Sequence, residues 1–524
     1  RDLHSFPTRR SSDLVGQAWS VIFRDPNVTP TPRLSVLRRG WMALSACLLA
    51  LTACAPSHSL PLTTPTSLPP TNAPELPAST PLPTRPSYAP GQLVDYTAQD
   101  GDTLPALAAR FNTTVDEIFA ANPIIPRDAT TMPPGLPMKI PIYYRALWGS
   151  SFQPLPDHAF VNGPALIGFN TTAFVNARDG WLKTYRTYAG GEWRTGPQLV
   201  DYIATNFSVS PRLLLALLEY QGGALSQPEP PVSKYLLGYK RVYYESPYLQ
   251  LVWAANTLNN GYYGWRQGSL LEFDLADGNL TRPDPWQNAA SVALQYYFSH
   301  IYSGQKFLSA TGPDGLLRTY TELFGDPWAV QTELIPGSLK QPDLLLPFPP
   351  GRVWSYTGGP HTGWGTGLPF VAVDFAPPSE FSGCFEVEPE QFSIAMADGL
   401  VVRSGIDGLA LDLDKDGDER TGWVIFYLHL AQDGRAPLGK ELRAGDPIGY
   451  PSCQGGHVTG THVHIARKYN GEWILADSPL AFDMEGWVAH DGSVAYQGTL
   501  TRGNATVTAC ECGDAGTAIK SGPP

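Results

Sequence analysis

Residues 55–92 read APSHSLPLTTPTSLPPTNAPELPASTPLPTRPSYAPGQ, and no packed core can be built from them. Proline fixes φ and removes a backbone donor, so such a run favours extended polyproline-like chain over helix or sheet. Its Thr and Ser side chains have little apolar surface to bury. This stretch therefore divides the chain into a short leader and a long remainder, held apart by a stalk. The remainder is too long for one core, and two to four domains are expected in the 524-residue chain. With 51 Gly and 51 Pro, many loops or linkers are expected as well.

The first fourteen residues, RDLHSFPTRRSSDL, carry no periodic pattern and look like non-native read-through, so they are set aside. Residues 15–54 are assigned to a signal peptide. Arg33, Arg38 and Arg39 form its basic flank, and Trp41 to Ala53 an apolar run too short to span a bilayer stably. Leu51-Thr52-Ala53-Cys54 resembles a bacterial lipobox. That resemblance implies lipidation at Cys54 and an extracytoplasmic, membrane-anchored lipoprotein at the cell envelope. No other stretch is apolar enough to span a membrane. The net charge of −12 is spread thinly with no long basic run, which argues against nucleic acid as a partner. Outside the cytoplasm disulfides are favoured among Cys384, Cys453, Cys510 and Cys512; Cys510 and Cys512 are expected to be too close to pair readily with each other.

In residues 93–142, Leu104, Leu107, Ala108 and Phe111 fall on one helix stripe. Thr114 and Glu117 form a capping box ahead of a second helix with Ile118 and Phe119. Tyr96 and Met138–Ile140 lie in short strands at the two ends. This strand–helix–helix–strand unit, with Gly101-Asp102-Thr103-Leu104 and Ala121-Asn122-Pro123, resembles a LysM module. The resemblance implies a small α+β fold that binds N-acetylglucosamine-containing glycans such as peptidoglycan. Pro105 and the Pro-rich spacing before the last strand depart from the pattern.

Residues 150–344 are rich in Tyr and Trp and mainly helical in pattern. Ser210 is an N-cap, Pro211 takes the first helical position, and Gly222 reads as the stop of a Leu-rich helix that carries Glu219. Two further helices are expected in YLQLVWAANTLNNGYYGWR and NAASVALQYYFSHIY. An apolar helix ending in Glu before a Gly turn is similar to the lysozyme-like transglycosylase fold, and that similarity implies a general acid at Glu219. Tyr220-Gln221-Gly222 replaces the family's Ser-Gly, and no second carboxylate stands out. The alternative is a structural Glu beside an aromatic surface.

From 345 to 500 the pattern turns to short alternating strands with Gly and Pro turns, leaving 501–524 as a C-terminal tail with Cys510 and Cys512. In FVAVDF, Val371, Val373 and Phe375 alternate with Phe370, Ala372 and Asp374, which places a carboxylate on a strand among apolar residues. Such a group needs a partner or a metal. In WVIFYLHL, His429 ends a strand on what reads as the less buried face. In THVHIA, His462 and His464 point to one side and Val463 and Ile465 to the other, so the two imidazoles are expected side by side on an exposed face. His361 lies on a Gly-rich loop. Catalytic zinc takes three N/O protein ligands and leaves a position open. These residues offer more than three donors, and spacing alone leaves the ligand assignment open.

GPHTGWG followed by AVDF, then His429 and the pair His462/His464, resembles the lysostaphin-type zinc endopeptidases, most closely the staphylolysin/beta-lytic branch. Commoner members carry a His four residues before the Asp, where this chain has Phe370. The branch takes its first His from an upstream Gly-rich loop, as His361 stands thirteen residues before Asp374. The resemblance implies an antiparallel all-β peptidase domain, zinc ligands His361, Asp374 and His464, and non-ligand catalytic residues His429 and His462. It implies metal-assisted amide hydrolysis, with one of these two histidines taking the water proton and the other stabilising the oxyanion. It also implies a bonded Cys453, with Cys384 as the substitute partner. His457 fits no family role and reads as structural.

Asp412, Asp414, Asp416 and Gly417 match the start of a calcium-loop pattern, but Trp423 stands where that pattern wants Glu. The alternative is an acidic hairpin tip. The chain as a whole reads as a multidomain protein: a LysM module, a mainly α lysozyme-like domain and an all-β peptidase domain. The expected function is an envelope-anchored zinc metalloendopeptidase acting on peptidoglycan. The alternatives are a non-catalytic peptidoglycan-binding lipoprotein or hydrolase activator, and a bifunctional hydrolase that also cuts glycan at Glu219.

Overall fold

In the first described element, strand β1 (Gln92–Thr97), Val94 and Tyr96 turn inward and alternate with exposed neighbours. It pairs antiparallel with β2 (Pro137–Ile142). Between them lie α1 (Leu104–Phe111), capped by the Thr103 hydroxyl, and α2 (Val115–Ala121), opened by the Thr114/Glu117 capping box. The expected stripe of Leu104, Leu107, Ala108 and Phe111 is buried. A buried ion pair, Arg110 to Asp102 at 2.7 Å, braces the unit from within. This computed structural model describes residues 88–522. The signal peptide, Cys54 and the Pro-rich segment up to residue 87 lie outside the described residues.

The central helices are α3 (Gly196–Phe207), α4 (Pro211–Gly222), α5 (Pro247–Arg266) and α6 (Ala289–Ser299). Ser210 caps α4 as expected, but the stop is one residue later than Gly222: Gly223 takes the left-handed conformation, φ 55°, that ends the helix. Helices α5 and α6 are buried over most of their length, so they lack a wide polar face.

The C-terminal region is built on a nine-stranded antiparallel sheet. Its strands are β3 (Val353–Thr362), β4 (Phe370–Ala376), β5 (Gly399–Gly405), β6 (Gly408–Asp412), β7 (Trp423–Leu428), β8 (Glu441–Leu442), β9 (Val463–Tyr469), β10 (Glu472–Trp473) and β15 (Ala518–Lys520), with β11–β14 named below. The order is β8–β5–β6–β7–β9–β4–β3–β15, with β10 beside β9. A four-stranded sheet follows: β11 (Asp483–Met484), β12 (Trp487–Asp491), β13 (Gly498–Arg502) and β14 (Ala505–Thr508).

Three expectations are corrected here. The all-β region does not stop at 500, because β13, β14 and edge strand β15 fold the supposed tail into both sheets. Cys510 and Cys512 lie at disulfide distance from each other, their Cα atoms 5.1 Å apart, nearer to pairing than their spacing suggested. Finally, the face around the histidines is mostly closed: His361, His429 and His464 are buried and His462 is half-buried. Val373, Phe375, Ile425, Tyr427, Val463 and Ile465 fill the core on one side. Ala372, Phe426, Leu428 and Ala466 on the other side share a continuous core with α3, α4, α5 and α6. By the period of two, Asp374 and His464 belong to this second, helix-covered side.

Charged groups buried between helices and sheet are paired. Arg266 on α5 reaches Glu472 on β10 at 2.9 Å and Asp157 at 3.2 Å, and the Tyr262 hydroxyl donates to Glu472 at 3.0 Å. The Trp473 amide donates to the Tyr263 hydroxyl at 3.0 Å. The loop after His361 is held from the same side: Asn256 and Asn260 on α5 accept from the amides of Thr366 and Leu368, each at 2.7 Å. Gly367 has φ 86°, a left-handed conformation that favours glycine, and an added Cβ would also meet Asn260 Oδ1 at 2.3 Å.

Candidate metal centre

Register brings the site together. His464, second in β9, is the Cα partner of Asp374 on β4, and Leu428, the residue before His429, is the partner of His464 on the other side. His361, near the end of β3, pairs with Ala372. Adjacent strands thus project three donors into one spot. His361 Nε2 lies 3.0 Å from His464 Nδ1 and 3.4 Å from Asp374 Oδ1, and His464 Nδ1 lies 3.2 Å from Asp374 Oδ1. All three residues are buried, and Asp374 Oδ1 accepts no hydrogen bond.

A tetrahedral ion with ligands at ~2.0–2.1 Å has donor–donor edges of about 3.3 Å. The three observed edges match that size, so the residues fit a zinc ion. The chemistry of the set agrees. His361 Nδ1 is 2.8 Å from the Gly359 carbonyl, which assigns it the ring proton and leaves the Nε2 lone pair facing the triangle. Burial pushes the His361 imidazole down to about 4, despite the nearby Asp374 charge, so the ring is neutral at neutral pH. Burial alone would raise Asp374, but the surrounding imidazoles outweigh it and hold the carboxyl well below its usual range.

His429 and His462 stand at the margin of the triangle, their rings 4.6 Å apart. His462 Nε2 is 3.8 Å from Asp374 Oδ1, and its Nδ1 is 2.8 Å from the Gly460 carbonyl. His429 Nδ1 is 3.1 Å from the Gln454 carbonyl. In both rings the Nδ1 proton is committed to backbone, which frees Nε2 to accept or deliver a proton. Burial brings His429 down to about 3. His429 also holds a left-handed backbone, φ 63°, a strained conformation for a residue with a Cβ. The Cys384–Cys453 disulfide ties segment 383–385 to the loop ahead of His462, where the Thr461 amide donates to the Gly383 carbonyl at 3.0 Å.

Sequence reasoning missed Tyr496. Its ring stacks on His361 with centroids 4.0 Å apart, and it too has a positive φ, 69°. Gly359 donates to its carbonyl at 2.9 Å, and its own amide donates to the Pro360 carbonyl at 3.2 Å. Half of this tyrosine's surface stays exposed. Nothing local marks this tyrosine; only the fold sets it against a histidine 135 positions earlier.

The other candidate residues lie apart from this cluster. Glu219 is half-buried at the end of α4, and its Oε2 accepts from the Leu225 amide at 2.7 Å, so it braces the following turn. Asp412, Asp414 and Asp416 do cluster, but their carboxylates accept the amides of Asp414, Gly417, Asp416 and Asp418. Those bonds describe the acidic hairpin tip and lend calcium no support. His457 is exposed on the turn before His462.

The LysM domain family matches residues 96–141, and the family described as LasA, N-terminal domain, matches residues 153–337. Protease LasA of Pseudomonas aeruginosa strain UCBPP-PA14 is 24% identical over 343 residues, covering 61% of this chain and 75% of the relative. Its counterpart in strain PAO1 is 24% identical over 330 residues, covering 58% and 74%. Among solved structures, the M23 metalloprotease pseudoalterin from the deep sea is 22% identical over 32% of this chain and 96% of its own, with a TM-score of 0.25. The lysostaphin catalytic domain from Staphylococcus simulans is 20% identical over 24% and 87%, with a TM-score of 0.17. The chain therefore carries a LysM module ahead of a region similar to protease LasA.

Proposed function

We propose that this protein is an extracytoplasmic zinc peptidase that hydrolyses peptide bonds of peptidoglycan and uses its LysM module to bind the glycan. In this reading His361, Asp374 and His464 hold the metal, and Cys54 carries a lipid anchor. The observation that carries the reading is the triangle of buried donor atoms with edges of 3.0, 3.2 and 3.4 Å. Its similarity to a protease supports the reaction class.

A zinc ion at this position supplies Lewis acidity and acidifies a water molecule. The chain's own residues do the rest. The Gly359 and Gly460 carbonyls hold the His361 and His462 rings by Nδ1, so their Nε2 atoms face the triangle. His462 Nε2, nearest to Asp374, takes the proton of the attacking water and passes it to the leaving amine. His429 can donate to the carbonyl oxygen only once Nε2 is protonated, with Nδ1–H staying on the Gln454 carbonyl. Burial of Asp374 and His464 keeps bulk water from screening these interactions.

The alternative of a purely binding protein does not account for a buried carboxylate with an oxygen free of hydrogen bonds. Glycan cleavage at Glu219 has no observation in its favour, since that carboxylate serves a turn amide. The deciding experiment is mass spectrometry of purified peptidoglycan incubated with the full chain, with chelator and then with zinc restored. The expected result is peptide cleavage that chelator abolishes and zinc recovers. Cleavage indifferent to chelator, or no peptide cleavage by zinc-loaded protein, sinks the proposal.

A further inference from the structure

The segment joining the helices to the sheet, residues 334–339, is gripped by the LysM unit. Asp100 Oδ1, in the loop after β1, accepts the amides of Leu334 and Ile335 at 2.9 and 3.3 Å. The loop before β2 supplies the rest. The Thr131 hydroxyl donates to the Pro336 carbonyl at 2.7 Å and accepts the Leu339 amide at 3.1 Å. The Thr131 carbonyl accepts the Ser338 amide at 2.9 Å, and the Thr130 hydroxyl donates to the Leu339 carbonyl at 2.6 Å. Gly337 lies so close to Pro133 that a Cβ there would meet its Cγ at 2.4 Å. Two loops of one module thus bind four N–H and two C=O groups of a bent segment that turns at Gly337-Ser338.

This is recognition of amides by paired donors and acceptors. The acetamido group of an N-acetylhexosamine presents the same pair, one N–H and one C=O. We propose that segment 334–339 is an internal ligand of the LysM module, and that an N-acetylated glycan and this segment exclude each other on the loops bearing Asp100, Thr130 and Thr131. This rests on the reading that the module takes such a glycan. The segment cannot withdraw by itself, because Leu334, Ile335 and Leu339 are buried in the core shared by helices and sheet. The module must therefore lift off when glycan binds. Lifting breaks the other docking contacts, including Arg110 to the Trp265 carbonyl at 2.9 Å, Gln99 to the Trp286 carbonyl at 3.0 Å, and the edge-on packing of Phe111 on Trp286 at 4.9 Å. Glycan affinity is then reduced by the fraction of molecules docked. Glycan contact thereby frees the connection that leads into the sheet.

Hydrogen exchange on the full chain tests this, with an N-acetylglucosamine oligomer as probe. The amides of Leu334, Ile335, Ser338 and Leu339 should be protected in the free protein and exchange faster at saturating sugar. Trp286→Ala, which removes a docking contact away from the two loops, should bind the oligomer at least about 5-fold tighter than wild type. If sugar binds while those amides stay protected and Trp286→Ala binds no better, the internal-ligand proposal is overturned and the glycan reading stands. If neither protein binds sugar, the glycan reading falls and takes this proposal with it. The exchange measurement uses wild-type protein, so it decides even if the variant folds poorly.

Discussion

Asp374 and His464 sit directly opposite each other across the β4–β9 ladder, with Oδ1 and Nδ1 3.2 Å apart. Register alone sets this pair, since a one-residue slip would send one of them to the opposite face. Asp374→Ala should abolish stoichiometric zinc binding, measured by elemental analysis after dialysis. It should also lower peptide cleavage by more than the ~10–100-fold typical of losing an outer partner of a metal ligand. The metal-free variant should also be less stable than metal-free wild type at neutral pH, because a carboxyl held below its usual range by the fold contributes stability there. Full zinc occupancy in Asp374→Ala contradicts the assignment.

His429 and His462 stand outside the donor triangle. His429→Ala and His462→Ala should therefore keep zinc and lose activity, by roughly 100- to 10,000-fold for a proton-transfer group. The check is metal content and turnover on the same preparation. Zinc loss in either variant would move that histidine into the ligand set.

Lys468 is buried beside the Trp473 ring, 4.2 Å from its centroid, and 3.9 Å from Glu419. Burial pulls its ammonium down to about 8. The unfolded chain keeps it near 10.4, so between about pH 8 and pH 10.4 the unfolded state binds a proton that the folded state does not. Stability from this group must then rise with pH through that window, and its full penalty is present below it. Lys468→Met should raise the melting temperature at pH 7, with a smaller gain at pH 10. An equal or larger gain at pH 10 would contradict the buried-charge account.

Arg266 neutralises two buried carboxylates, Glu472 at 2.9 Å and Asp157 at 3.2 Å. Arg266→Met should cost about 3–5 kcal/mol, because it strands them without a counter-charge. Urea unfolding should show wild-type helices and sheet melting in one transition, since they share a core. Separate transitions in wild type would contradict this.

Much of this molecule was legible locally. Cap and box residues Thr114, Glu117 and Ser210 act over three residues, and each sits where its spacing placed it. The alternation in FVAVDF put Asp374 on the face opposite Val373 and Phe375, as found. The histidines stood out because imidazoles are scarce here, only 10 in the chain.

The remaining features depended on contacts the chain makes far from itself. Alternation says which residues share a face of a strand, but not what covers that face; helices pack on its Ala372, Phe426, Leu428 and Ala466, and of the histidines expected on an open surface His429 and His464 are buried and His462 is half-buried. Arg266 and Glu472 lie 206 residues apart, and Tyr496 and His361 have no shared local pattern. The sequence by itself determined the elements, their caps and the residue types able to hold a metal, because those depend on neighbours within a turn or a strand. Only the tertiary structure decided which donors converge, which face is closed and where segment 334–339 is held, because pairing and packing are settled by register and burial across the whole chain.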